Sequence, residues 1–205
     1  MKRVRLIIPD AGPLISLGKI NRLDILLKLE LPIYIIDQVY FEVTREPSYQ
    51  DAQMIMQFVD TYPERIKIVE TQVGYLARLE REHNPSARQR QLGDAAITDF
   101  LTNQLHDMLK PSEPVLLLFE DTDLTKMNIV LRGNVHLLST KALLMGLENI
   151  GIIESEATLW KAIIASGRRP SNEILDKPAP PIYGGSHWLG SPSKKNDQRS
   201  VEKTA

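Results

Sequence analysis

Short apolar runs alternate with helical apolar stripes from residue 5 to about residue 140. Arg5-Leu6-Ile7-Ile8 carries the first run, which stops at Pro9-Asp10. Gly12-Pro13 then opens a helix pattern on Leu14, Ile15 and Leu17 that weakens at Gly18. Arg22 to Glu30 reads as a second apolar helix, broken by Pro32 ahead of a buried strand at Ile33-Tyr34-Ile35-Ile36. Asp37 makes a helix start, with Val39, Tyr40 and Val43 on one face and Glu42 about one turn in, and Pro47 ends it. A further helix spans Tyr49 to Tyr62, Ile66 to Val69 alternates as a strand does, and Tyr75 to Glu82 is helical. The polar run from His83 to Gln91 reads as a surface loop. Gly93-Asp94 opens a helix with Ala95, Ile97, Phe100, Leu101 and Leu105 on its apolar side. Val115-Leu116-Leu117-Leu118-Phe119 has no alternation, as expected of a parallel strand covered on both faces. A strand at Val135 to Leu138 and helices at Lys141 to Glu148 and Glu154 to Ala165 complete the pattern.

Strands alternating with helices in this way predict an α/β protein of three α/β/α layers around a central parallel sheet. From Asp176 the chain turns to Pro, Gly, Ser and Lys, which cannot bury enough apolar surface to offset the entropy of ordering. The expected division is therefore one domain over 1–175 and a disordered tail over 176–205. Composition narrows this little, since 42% apolar and 25% charged residues are ordinary for a globular chain. The lack of cysteine matters more, because it excludes a disulfide framework, a thiolate zinc site and a cysteine nucleophile. It also fits a reducing cytoplasm. The opening apolar run is far too short for a signal peptide or a membrane span. A net charge of -1 means that any nucleic-acid binding must come from local basic patches.

The candidate chemistry is carboxylate chemistry. Asp10 follows the first strand, Glu42 lies on the helix after the second, Asp94 sits at a helix start, and Asp121 and Asp123 follow the most buried strand. Right-handed crossovers bring successive strand ends to one edge of a parallel sheet, so these groups can converge. Acids crowded together repel and take up protons unless a cation neutralises them. A hard divalent ion such as Mg²⁺ or Mn²⁺ prefers oxygen ligands of this kind. Singly, Asp37 and Asp94 read equally as helix caps, Glu42 as a solvated helix residue, and Asp121 and Asp123 as turn residues. Together, Glu120-Asp121-Thr122-Asp123 directly after a buried run is unfavourable without a cation. The histidines are scattered without ligand spacing.

Ile8-Pro9-Asp10-Ala11-Gly12-Pro13-Leu14-Ile15-Ser16-Leu17, the helix carrying Glu42, Gly93-Asp94-Ala95-Ala96 and Leu117-Leu118-Phe119-Glu120-Asp121-Thr122-Asp123 resemble PIN-domain ribonucleases, most of all the VapC-like toxins and their relatives. The resemblance implies an α/β/α fold and RNA cleavage at a Mg²⁺- or Mn²⁺-dependent acidic site. It implies that Asp10, Asp94 and Asp121 bind the metal, with Glu42 and Asp123 as further catalytic acids. It also implies a homodimer and an antitoxin partner covering the acidic pocket, with no membrane. The family usually has a small hydroxyl residue where this chain has Phe119, and Thr122 or Ser139 is the candidate substitute. Lys19, Arg22 and Lys28 after Asp10, and Arg88 and Arg90 before Asp94, are the candidate RNA contacts. Arg168 and Arg169 look less well placed. Two other readings stay open: a PIN-like module that binds nucleic acid or protein without catalysis, and a receiver-like α/β domain. The latter is disfavoured because Lys141 is the nearest lysine to the end of a late strand.

Overall fold

A computed structural model describes residues 4–84, 92–120, 134–172 and 174–177. Its centre is a sheet of strands β1 (Ile7–Pro9), β2 (Ile33–Ile36), β3 (Ile66–Val69), β4 (Val115–Phe119), β5 (Val135–Ser139) and β6 (Asp176–Lys177). The strand order is β3-β2-β1-β4-β5-β6; the first five are parallel and β6 is antiparallel to β5. The central parallel sheet with helices flanking it is the expected α/β/α architecture. The order also locates the site. The chain goes outward from β1 through β2 to β3, then returns to place β4 on the other side of β1. That reversal leaves a crevice outside the carboxyl ends of β1 and β4, where open α/β sheets bind ligands.

The helices are α1 (Ala11–Lys19), α2 (Asp24–Leu27), α3 (Asp37–Thr44), α4 (Gln50–Thr61), α5 (Gln72–His83), α6 (Leu92–Asp99), α7 (Leu105–Met108), α8 (Thr140–Asn149) and α9 (Glu156–Ala165). β4 is buried along its whole length, as its unbroken apolar run requires of a strand covered on both faces. The core around it includes Ile7, Ile8, Leu14, Leu17, Ile33, Ile35, Ile55, Ile97, Phe100 and Leu117, each fully buried. No helix among the described residues is long and apolar enough to cross a membrane.

Several elements differ from the sequence pattern, each for a visible reason. The helix expected over residues 22–30 is only four residues long. Glu30 adopts a left-handed φ of 53°, and Leu29 and Leu31 pack on the core from non-helical backbone. α5 starts three residues earlier than the apolar stripe suggests, because Thr71 caps it by accepting a hydrogen bond from the Gly74 amide. The helix from Gly93 is interrupted: Phe100–Gln104 forms a π turn in which the Leu105 N–H reaches back to the Phe100 carbonyl. The sheet also extends two residues past the boundary drawn from composition. Asp176 pairs with Leu138 in β6, and its carboxylate meets the His136 ring at 2.5 Å.

Candidate active site

Asp10 is the hinge between β1 and α1. Its backbone N–H donates to the Leu118 carbonyl of β4 at 2.9 Å, which fixes it to the crevice between the two strands. It stands at the helix N-cap position, yet its side chain makes no capping hydrogen bond. Burial pushes its carboxyl up to about 7; the adjacent Ala11 N–H pulls the other way, and Asp94, Glu42 and Glu120 each push it further up. Three elements thus send a negative charge to Asp10, namely α6, α3 and the end of β4.

Glu42 arrives from α3. Its pKa is raised by burial first and by Asp94 second, with Arg45 opposing. Close packing of α3 on the start of α6 makes this possible: a Cβ on Gly93 would stand 3.2 Å from Glu42 Oε2. Glycine at that position lets the glutamate lie over the helix start that carries Asp94.

The strand-four acid that the structure describes is Glu120, a residue the sequence pattern marked only as one of a crowded trio. Its side chain is 4% exposed. Oε2 accepts a hydrogen bond from Ser16 Oγ at 2.8 Å and another from Arg168 Nη2 at 2.9 Å. Arg168 Nε also donates to Ser16 Oγ at 3.0 Å, closing a triangle. Oε1 is buried with no hydrogen-bond partner among the described residues. Gly12 and Ser16 are one helical turn apart, on the face of α1 that meets Glu120. A Cβ on Gly12 would fall 2.8 Å from the Cβ of Glu120, so only glycine admits this approach.

Of the expected site residues, Asp10, Glu42 and Asp94 are thus within electrostatic reach of one another. Asp121, Asp123, Arg88 and Arg90 lie outside the described residues. Among the described residues, no three His, Asp or Glu groups are close enough together to hold one metal ion directly. Lys19 and Arg22 are at the other end of the first helix. α1 leaves the carboxyl edge at Asp10, and its nine residues carry Lys19 about 13 Å away. There Lys19 approaches Asp51 at 3.9 Å and Arg22 pairs with Asp24 at 3.0 Å. Arg168, which the sequence pattern ranked below them, is the arginine that contacts a pocket acid. Of the two candidate hydroxyls, Thr122 lies outside the described residues. Ser139 Oγ caps α8 and accepts from the Leu175 amide, whereas the hydroxyl beside the strand-four acid is that of Ser16. Asp37, an alternative helix cap, braces α3 to α5 and takes no part in the pocket.

Residues 6–83 match the family model DUF3368, described as a PIN domain. The matched stretch includes Asp10, Ser16 and Glu42; Asp94, Glu120 and Arg168 lie beyond it. No curated protein and no solved structure matches the chain.

Proposed function

We propose, from the premise that this is a PIN-domain protein, that it is a divalent-metal-dependent endoribonuclease. The observation that carries the proposal is Asp10, partly buried at the switch point of the sheet with its pKa pushed to about 7 by desolvation and three neighbouring acids. A pocket of this kind is unfavourable by itself and becomes favourable around a cation. The donors on hand are carboxylate oxygens, one of them Oε1 of Glu120, which has no hydrogen-bond partner among the described residues, and such donors suit Mg²⁺ or Mn²⁺. The acids would hold such an ion partly through its retained waters, in keeping with their separation. When bound, the ion supplies a water of lowered pKa and a positive charge opposite the phosphodiester.

In this reading Asp10 and Asp94 hold the ion, with Asp121 as the further ligand from the segment after β4, and Asp123 beside it. Glu42, exposed where α3 meets α6, would take the proton from the attacking water. Water oxygen bonds to phosphorus, the bond from phosphorus to the leaving sugar oxygen breaks, and that oxygen takes up a proton. Arg88 and Arg90 remain candidates for the flanking phosphates. A cytoplasmic setting fits both the RNA substrate and the lack of cysteine.

RNA cleavage with Mn²⁺ tests the proposal. The parent should cut, and Asp10→Asn should cut at least about 100-fold more slowly, the scale of losing one charge-stabilising group. If the two cut equally, or neither cuts, the remaining reading is a PIN module that binds without catalysis. The proposed biological role is the toxin of a toxin–antitoxin pair. Expression of the parent should then arrest growth and Asp10→Asn should not.

A further inference from the structure

The wall of the pocket formed by β4 is held by a residue from far along the chain. Arg168 follows α9, and its guanidinium makes two bonds, one to Glu120 Oε2 and one to Ser16 Oγ. Ser16 is fully buried and donates a hydrogen bond from its hydroxyl to the same Oε2. One oxygen of Glu120 is therefore tied by two donors, while the other, equally buried, has none among the described residues. A buried charged oxygen left without a partner is costly, and a folded chain keeps one where a ligand completes it. Glu120 packs on Gly12, two residues after Asp10, and its charge is felt at Asp10, so its carboxylate lies beside the same pocket.

We infer that Arg168 and Ser16 are positioning residues, which fix Glu120 so that Oε1 is left for the divalent ion or for one of its waters. The inference rests on the metal-dependent reading above and adds Glu120 to its donors. Arginine suits this role better than lysine, because its planar fork bonds Glu120 and Ser16 at once and so fixes the direction of the carboxylate. The competing account is that Arg168 only anchors the stretch from Arg168 to Lys177 to the sheet. That stretch has its own fastenings: Asn172 accepts from Trp160 Nε1 at 3.0 Å, and Leu175 exchanges hydrogen bonds with Ser139. It does not need Arg168 to stay in place.

The test is Mn²⁺ binding to the purified full chain without RNA, followed by electron paramagnetic resonance, with thermal unfolding measured alongside. Arg168→Met removes both donors at similar length. Glu120→Gln keeps an acceptor for Arg168 and removes the charge. Each should weaken Mn²⁺ binding by about 10-fold or more, the usual effect of losing a group that orients a ligand or the ligand itself. Arg168→Lys should recover part of the loss. Should Arg168→Met lower the melting temperature and yet bind Mn²⁺ as the parent does, Arg168 is an anchor and the inference is overturned. If Arg168→Met does not fold, Glu120→Gln decides, and parental affinity there overturns the inference equally. A parent that binds no Mn²⁺ overturns the metal-dependent reading itself, a result distinct from parental affinity in the variants.

Discussion

α3 and α6 each carry two acids that meet opposite fates. Asp37 and Asp99 face α5, while Glu42 and Asp94 face Asp10. Asp37 accepts from the Gln38 N–H, the Thr71 N–H and the Thr71 hydroxyl at 2.8–3.0 Å. Asp99 accepts from the Gln72 and Val73 N–H groups and from Asn103 Nδ2. Asp99 supplies an acceptor to the first two amides of α5, groups that have no partner within the helix itself, and Asp37 holds its capping residue Thr71. Glu42 has Asp94 for a neighbour and Asp10 has Asp94, Glu42 and Glu120, and the carboxyls of Asp10 and Glu42 are raised. The same two helices thus build a satisfied brace at one place and a repulsive cluster at another. Asp37 and Asp99, supplied with donors on the α5 side, serve the architecture; acids crowded by acids favour a cation.

The largest effect should come from the repulsive side. In metal-free protein the native state keeps a proton on Asp10 up to about pH 7, whereas the unfolded chain releases it near 3.8. The native state binds more protons over that interval, so stability falls as pH rises through it, by on the order of 4 kcal/mol in total. Asp10→Asn should remove that slope, leaving a variant more stable than the parent at pH 8 and little different near pH 4. Urea unfolding of both proteins at the two pH values checks this; parallel profiles would show that Asp10 is not crowded. Added Mg²⁺ should stabilise the parent most above pH 7.

The brace should break next. A Cβ on Gly74 would fall 1.7 Å from Asp37 Oδ2, so Gly74→Ala must dislodge the carboxylate and should cost about 3 kcal/mol. Gly146 in α8 has nothing within 4 Å of its added Cβ, and Gly146→Ala should be neutral or gain up to about 1 kcal/mol. Similar unfolding midpoints for the two variants would refute the distinction. Thr71→Ala removes one cap of α5 and should cost about 1 kcal/mol, read from the same midpoints. The smallest effect concerns the cations at the far end of α1. Lys19→Ala and Arg22→Ala should each change the rate of RNA cleavage less than about twofold, because exposed ion pairs are worth only about 0–1 kcal/mol. A tenfold loss in either would bring the RNA path to that end of the sheet.

Much of the fold was legible in the chain because each β-α step carries its own signal. The unbroken apolar run at Val115–Phe119 could only be a covered strand, and Pro9-Asp10 followed by Gly12-Pro13 marked the turn into α1. The convergence of Asp10, Glu42 and Asp94 followed from parallel strands ending at one edge. Local patterns could not show α2 stopping at Leu27, since Leu29 and Leu31 are drawn to the core by tertiary packing that overrides the stripe. The π turn after Asp99 was hidden for the same reason: its apolar residues keep a spacing that an α-helix also satisfies. Arg168 was out of reach because its partners, Ser16 and Glu120, are 152 and 48 residues away in sequence. The one clue was Gly12 with Ser16 a turn later, a small-residue face on α1 into which a large group from elsewhere could fit.

Arg168 also has a place in time. It lies 152 residues after Ser16 and 48 after Glu120. Ribosomes add about 5–20 residues each second, so the guanidinium is made about 2–10 s after the carboxylate it holds. β1 to β4 can pair before that wall of the pocket exists, and a chain interrupted before Arg168 never acquires it. For a protein proposed to cut RNA, the nascent chain would then stay incomplete at its active site until Arg168 has been made and has reached Glu120.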